Sequence, residues 1–449
     1  MRDYRNAIPT DAVPAALISR GQALTFALVA GLFFAWGLAA NMTDTLLSAF
    51  KRILSLTDFQ TAFVQYAFFG GYFCFAIPAS LMARRYGYKA GLLIGLGLYI
   101  AGALLFYPAS LSLDYFPFLV ALYVLAAGLS FLETCANPFI YSLGPRATAT
   151  RRLNLAQSFN PVGAISGALL AKFFILDHLH QASAAERAAL STDALQSVQR
   201  VELTAVMGPY VAVAAMLSIV WVLLAVKTMP ADLDRTGDGD IGEPQGFGTG
   251  LRRLARNRRY LVAIGIQFLY VGAQVGVWSF TIRYVMTRLD VSESAAATYY
   301  TVGLVLFFLS RFICTWLMGR VRAETLLFGL AVLAGALCAV AALSHGVAGV
   351  YALVAVSGCM ALMFPTIYGI GLSALDPRDI KLGGAGLVMA ISGGAVVVGL
   401  QGLVSDLAGD IGPAFWVPSL CFGAVALFGW DARRRAPTDE PPPPGPALH

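Results

Sequence analysis

The chain has 449 residues, 58% of them hydrophobic and 12% charged, with a mean hydropathy of +0.70. Soluble domains carry about 25% charged residues, so this composition excludes a globular protein with one large core and defines a polytopic membrane protein. The net charge of +6 is not a nucleic-acid footprint, because the basic residues sit in short loops between apolar runs, as the positive-inside rule requires.

Residues 1–21 are polar and hold no short apolar stretch ahead of a small-residue cleavage site. No cleaved signal peptide is expected, and the first span serves as its own targeting signal. A membrane-spanning helix needs about 20 apolar residues. Runs of that kind lie at 22–48, 59–82, 89–108, 116–142, 153–176 and 205–228, forming an N-terminal six-helix half over 22–228. A polar, charge-rich stretch at 229–257 is the expected cytoplasmic linker. A second set follows at 260–287, 295–319, 324–344, 347–373, 383–408 and 412–430, giving a C-terminal half over 258–431. The tail, 432–449, is basic and then proline-rich, and is expected to be disordered. These runs are called spans 1 to 12.

Lysine and arginine set the expected orientation. With the N-terminus inside, inside segments carry 23 basic residues and outside segments 6, with Lys172 and Arg311 left within spans. That bias places both termini in the cytoplasm and fits only an even number of spans. Two six-helix halves joined by a cytoplasmic linker match the major facilitator architecture, an all-α integral membrane fold with twelve helices and a site near the midplane.

The spans hold few charges, and those few are informative. A carboxylate at the centre of a spanning helix costs about 2.5–3.5 kcal/mol on insertion scales and is tolerated where it faces protein or a water-filled path. Glu133 lies in an almost uncharged run from Phe116 to Gly144, and Asp44 repeats the situation in span 1. Asn41 shares a helical face with Asp44, and Asn137 shares one with Glu133. Pro138 follows and is expected to break span 4 locally. Span 5 carries Gln157 and Asn160. Span 7 carries Gln267, Tyr270, Gln274 and Trp278 as one polar-aromatic stripe. Amides and carboxylates supply the donors and acceptors that sugar hydroxyls need, and an aromatic ring can cover an apolar sugar face. A carboxyl group in a low-dielectric pocket holds a proton more readily than in water. Glu133 and Asp44 are therefore the expected proton-coupling pair. The competing reading for each amide is packing, since membrane helices use Asn and Gln to bond to one another.

Other features point away from chemistry. Lys172, near one end of span 5, is expected to snorkel to the interface. Arg311, in span 8, needs a partner and is expected to find an ion pair or carbonyls at the cytoplasmic gate. Arg84 and Arg85 begin the segment RRYGYK, a degenerate form of the facilitator loop in which an acid normally stands where Arg84 does. Its remaining physics is inside charge and a tight turn at Gly87. The six cysteines lie in apolar runs without metal-type spacing. His178 and His180 form an isolated HxH in a polar loop, where solvation is the default. No metal and no cofactor are expected, and no GxSxG or HExxH suggests a membrane enzyme.

The segments FLETCANPF (131–139), RLNLAQSFN (152–160), YVGAQVGVWSFTIRY (270–284), SRFICTW (310–316), FPTIYGIGL (364–372) and GLVSDLAGDI (402–411) resemble the fucose–galactose–glucose symporter group of the major facilitators. The resemblance runs from about residue 20 to 430. It implies a bacterial inner-membrane sugar–proton symporter working by alternating access, with L-fucose first among the candidate sugars. It also implies that Asp44 and Glu133 are the protonatable pair and that Gln157 and Asn160 are site amides. The chain departs from the group's pattern in three places. Asn41 is the only amide kept before Asp44, Lys172 stands where a neutral polar residue is expected, and Pro161 stands where a small polar residue is usual. A glucose or galactose carrier, a sodium-coupled or efflux carrier and a membrane enzyme are the alternatives. The expected partners are a small sugar, a proton and the lipid bilayer, with no nucleic acid, and the chain is expected to be a monomer.

Overall fold

The computed structural model describes residues 17–18, 20–53, 58–112, 115–174, 191–228 and 247–435. Among these, every predicted apolar run falls on helix. Span 1 is Ala23–Ile53, spans 2 and 3 are the two arms of Asp58–Ser112, span 4 is Tyr115–Ser142 and span 6 lies in Thr192–Val226. Span 7 is Arg258–Leu289, span 8 Glu293–Leu317, span 9 Ala323–Leu343 and span 12 Trp416–Arg435. The remaining spans are interrupted. Span 5 is Ala149–Gln157 followed by Phe159–Phe174, and span 10 is Val347–Met360 followed by Met363–Ser373. Span 11 is Ile380–Met389 and Gly393–Ala408, with a 3-10 turn at Ala390–Ser392 between them.

Spans 2 and 3 meet at Gly87, whose φ of 87° only glycine adopts without strain. The predicted turn is there. Lys89, two residues on, donates to the Ala225 and Lys227 carbonyls at 2.7 and 2.8 Å. It thereby caps the end of span 6, where a cation is favoured.

Two expectations are corrected. Span 4 runs unbroken through Pro138, and the Thr134 carbonyl, whose helical donor proline removes, faces Gly384 at a seam described below. The breaks fall instead in spans 5, 10 and 11. Phe247–Arg256, at the end of the linker stretch, is a helix. Arg253 on that helix grips Asp379 with a bidentate pair, Nε–Oδ2 at 3.0 Å and Nη2–Oδ1 at 2.7 Å. In the tail, helix continues to Arg435, and 436–449 lie outside the described residues.

Within each half the helices pack closely. Span 1 lies along span 5, and the arms of spans 2 and 3 lie along span 4. In the second half, span 9 packs on span 12 and span 7 on span 11. Lipid gives no hydrophobic drive to helix association, so small residues must bring backbones together. Gly163 shows this: a Cβ there would overlap the Phe34 carbonyl of span 1. The halves meet at the face that carries the linker. Gly384 of span 11 sits against Pro138 and the Thr134 carbonyl of span 4, and Asn154 of span 5 donates to Thr366 of span 10 at 3.2 Å.

Gly163→Val should destabilise the protein by about 1–3 kcal/mol, the usual cost of overpacking. Gly329→Val, where a Cβ meets nothing within 4 Å, is the control, and equal losses in thermal unfolding of the two purified variants would contradict the packing argument.

The loop after span 11 holds an ion pair, Asp410 Oδ2 to Arg288 Nη2 at 2.7 Å. The Arg288 guanidinium holds the Asp410 carboxyl below its ordinary value of 3.8. A depressed carboxylate contributes stability above its unfolded value and loses it as pH falls through the lower folded one. Asp410→Asn should therefore cost a fraction of a kcal/mol, at most about 1, at pH 7, and the difference should close as the medium is acidified below about pH 4. Unfolding curves of both proteins across pH check it, and a gap that widens in acid would refute it.

Candidate functional site

Glu133 lies on span 4 with 6% of its surface exposed. Its Oε1 accepts a hydrogen bond from the Tyr72 hydroxyl of span 2 at 3.2 Å, and Ser130 on the same span donates to the Tyr72 carbonyl at 3.0 Å. The second carboxyl oxygen, Oε2, is buried without a partner among the described residues. One turn on, Asn137 Oδ1 accepts from Gln157 Nε2 of span 5 at 2.7 Å. That bond leaves the other end of the Asn137 amide, Nδ2, buried and without a partner among the described residues. An acceptor at Glu133 and a donor at Asn137 thus stand one helical turn apart on one face. A hydroxylated ring can give a hydrogen to the first and take one from the second. Buried polar groups are rarely left unmade, so such groups mark a place where a ligand or water is accommodated.

The other predicted residues divide. Asn160 donates to the Phe33 carbonyl of span 1 at 3.3 Å, so this amide joins spans 1 and 5. Asn41 is half-buried in span 1. Asp44 lies within the span 1 helix, but its side chain is outside the described residues, as are that of Lys172 and the whole of His178 and His180. On span 7, Gln267 is fully buried with neither end of its amide partnered among the described residues. Tyr270 is committed elsewhere: it is fully buried and its hydroxyl donates to the Met360 carbonyl of span 10 at 2.9 Å. Gln274 is half-buried. Trp278 donates to Ser357 Oγ at 3.3 Å and packs edge-on against Phe307 at 5.1 Å. Arg84 approaches the linker helix, its Nη1 lying 3.7 Å from where a Gly250 Cβ would stand, while Arg85 is exposed and covers the Tyr86 ring.

Sequence reasoning missed Tyr72 and Gln401. Tyr72 reads as one more aromatic in an apolar run, flanked by Gly70 and Gly71, and only the fold brings it to Glu133. Gln401 was visible as an amide in span 11. It is fully buried against Gly276 with both ends of its amide unpartnered among the described residues.

Arg311 binds carbonyls rather than an acid. Its Nε donates to the Ala361 carbonyl at 2.8 Å and its Nη1 to the Gln157 carbonyl at 2.9 Å, and the guanidinium lies over the Phe307 ring. Both carbonyls are orphans of proline. In a helix they would accept from the residues four positions on, which are Pro161 and Pro365, and proline has no N–H to give. Away from water, such carbonyls need another donor. The planar fork of arginine supplies both, and because Gln157 is in the first half and Arg311 in the second, it ties the halves together beside the site. The reverse bond, Arg151 Nε to the Thr315 carbonyl at 3.2 Å, crosses the same boundary.

A model of the Major Facilitator Superfamily matches residues 26–396. An L-fucose-proton symporter of Escherichia coli is 39% identical over 94% of this chain and 95% of its own. A glucose/galactose transporter of Brucella abortus is 32% identical over 89% and 91%. A crystal structure of the Escherichia coli fucose:proton symporter superposes with a TM-score of 0.84 at 37% identity, covering 93% of this chain and all of that one. Another structure, of a superfamily transporter in the outward conformation, gives 0.86 at 38%. The fold and the site thus define a secondary carrier of the facilitator class. The chain belongs to the Major Facilitator Superfamily and, within it, to the family of the L-fucose-proton symporters.

Hydrogen bonds from a charged donor are worth about 1.5–3 kcal/mol each. Arg311→Gln should therefore move the balance between closed and open arrangements of the linker face about 10- to 100-fold toward open. Spin-label distances between the halves read that balance, and an unchanged distribution would remove Arg311 from the closure.

Proposed function

We propose that this protein is a proton-coupled symporter that imports a simple hexose or deoxyhexose by alternating access, with L-fucose the first candidate. The observation that carries the reading is the buried Glu133 carboxyl, held through one oxygen by Tyr72 and open at the other, beside the Asn137–Gln157 amide pair. A protonatable group within reach of the same ligand as a hydrogen-bonding amide can couple the two cargoes, because its protonation state changes what it offers a sugar hydroxyl. The curated relatives that share 39% identity carry L-fucose and proton in their names.

In this reading Glu133 and Asp44 carry the proton. Asn41, Asn137, Gln157, Asn160, Gln267 and Gln274 offer amide contacts to the sugar, and Trp278 offers a ring face. Tyr270 backs the site rather than touching the sugar, given its bond to Met360. The protein works without a cofactor, as a monomer in the inner membrane of a bacterium, with both termini in the cytoplasm. Closure at the linker face then corresponds to an outward-facing state. A glucose or galactose cargo is the second reading, favoured by the relatives named for those sugars.

Counterflow in liposomes across a panel of sugars identifies the cargo without any assumption about the driving ion. Accumulation should collapse with a protonophore and be indifferent to sodium at fixed pH. Glu133→Gln imitates a permanently protonated acid and should abolish accumulation against a gradient while sparing sugar exchange. Uphill accumulation by that variant would overturn the coupling role.

A further inference from the structure

At the linker face, away from Glu133, lies a cavity of about 860 Å³. Six guanidinium groups line it: Arg146, Arg151, Arg258, Arg259, Arg322 and Arg435. Two carboxylates, Glu324 and Asp431, share the lining, so that among the described residues arginines outnumber acids there by four. Arg435 is paired with Asp431, its Nη2 2.6 Å from Oδ1, and Arg151 is bonded to the Thr315 carbonyl. Thr148, Thr150 and Ser373 add hydroxyls to the same wall.

The positive-inside rule explains arginines at this face but not their convergence. Arg252 and Arg85 lie at the same face and are exposed, and neither lines this cavity. The six that do come from both halves: Arg146 from the turn joining spans 4 and 5, Arg151 from the start of span 5, the rest from the ends of spans 7, 9 and 12. A concave wall of one sign focuses its field and gathers counter-ions. Guanidinium is the side chain whose fork matches phosphate oxygens. The volume suits a small ligand, and the hydroxyls and carboxylates beside the arginines suit a polyol carrying the phosphate.

We infer that this cavity is a binding site for a phosphate-bearing anion and that an anion seated there, held by arginines of both halves, keeps this face closed. A phosphorylated polyol in the cytoplasm and a phosphate-bearing lipid headgroup share the required chemistry. The binding stands independently of the transport reading, and the effect on closure rests on that reading.

Calorimetric titration of the purified full chain with inorganic pyrophosphate and with glucose 6-phosphate tests the site. Saturable binding is expected, weakened at least tenfold in Arg259→Gln/Arg322→Gln and tightened several-fold in Asp431→Asn, which removes a competing carboxylate. A signal that sodium chloride reproduces at equal ionic strength, or one unchanged in both variants, overturns the site. Pyrophosphate binding in phosphatidylcholine nanodiscs that is lost in phosphatidylglycerol nanodiscs supports the site with a lipid headgroup as its occupant, and equal binding in both supports a soluble anion. Pyrophosphate on the linker side of sidedness-sorted vesicles should slow sugar counterflow in the parent and not in the double arginine variant. Binding that leaves counterflow unchanged, in vesicles that still exchange sugar, overturns the closing role alone.

Discussion

A backbone carbonyl that loses its helical partner inside a membrane must find a donor in the protein. Much of this architecture follows from that rule. Pro161 and Pro365 each remove one donor, and the freed carbonyls of Gln157 and Ala361 both turn to Arg311. The charge is thereby satisfied without an acid, and two interrupted helices from opposite halves are fixed to a third. Gln157 is held at two points as a result. Its carbonyl meets Arg311, and its side chain meets Asn137. The residue that helps tie the halves together also orients an amide one turn from Glu133. Closure of the linker face and the shape of the site are therefore built from some of the same atoms.

The same economy appears around the carboxyl. Tyr72 occupies one oxygen of Glu133 from span 2, while span 5 occupies one end of the Asn137 amide. Each contact leaves the opposite end of its partner open. The two side chains keep complementary characters, one accepting and one donating, at a spacing set by a single helical turn. Three spans of the first half supply this arrangement. The second half contributes buried amides at Gln267 and Gln401, neither of which finds a hydrogen-bond partner among the described residues.

What could be read from the sequence follows the physics of lipid. Apolar runs are a one-dimensional signal, so the spans were legible, and Glu133 stood out because charge is rare in that setting. The partnerships were not legible. Pro161 appeared only as a departure from a family pattern, and nothing in the order of residues said that Arg311, 150 positions away, answers the carbonyl it frees. Tyr72 could not be told from its aromatic neighbours. Pro138 misled in the opposite direction: local propensity argues for a break, and the helix runs whole past it, beside Gly384 of the other half. The helix in the linker was hidden by its charge, since its stabilising contact is the Arg253–Asp379 pair across 126 residues of chain.

The glycine at 384 has a mechanical meaning. It lets the Thr134 carbonyl of span 4 approach the opposite half with no side chain between them, and Thr134 is the neighbour of Glu133 in the chain. Span 4 is one rigid rod there, uninterrupted from Tyr115 to Ser142. Tyr72 is fastened to the same rod through Glu133 and Ser130. The seam contact and the acid therefore stand on adjacent residues of one continuous helix, with no joint between them.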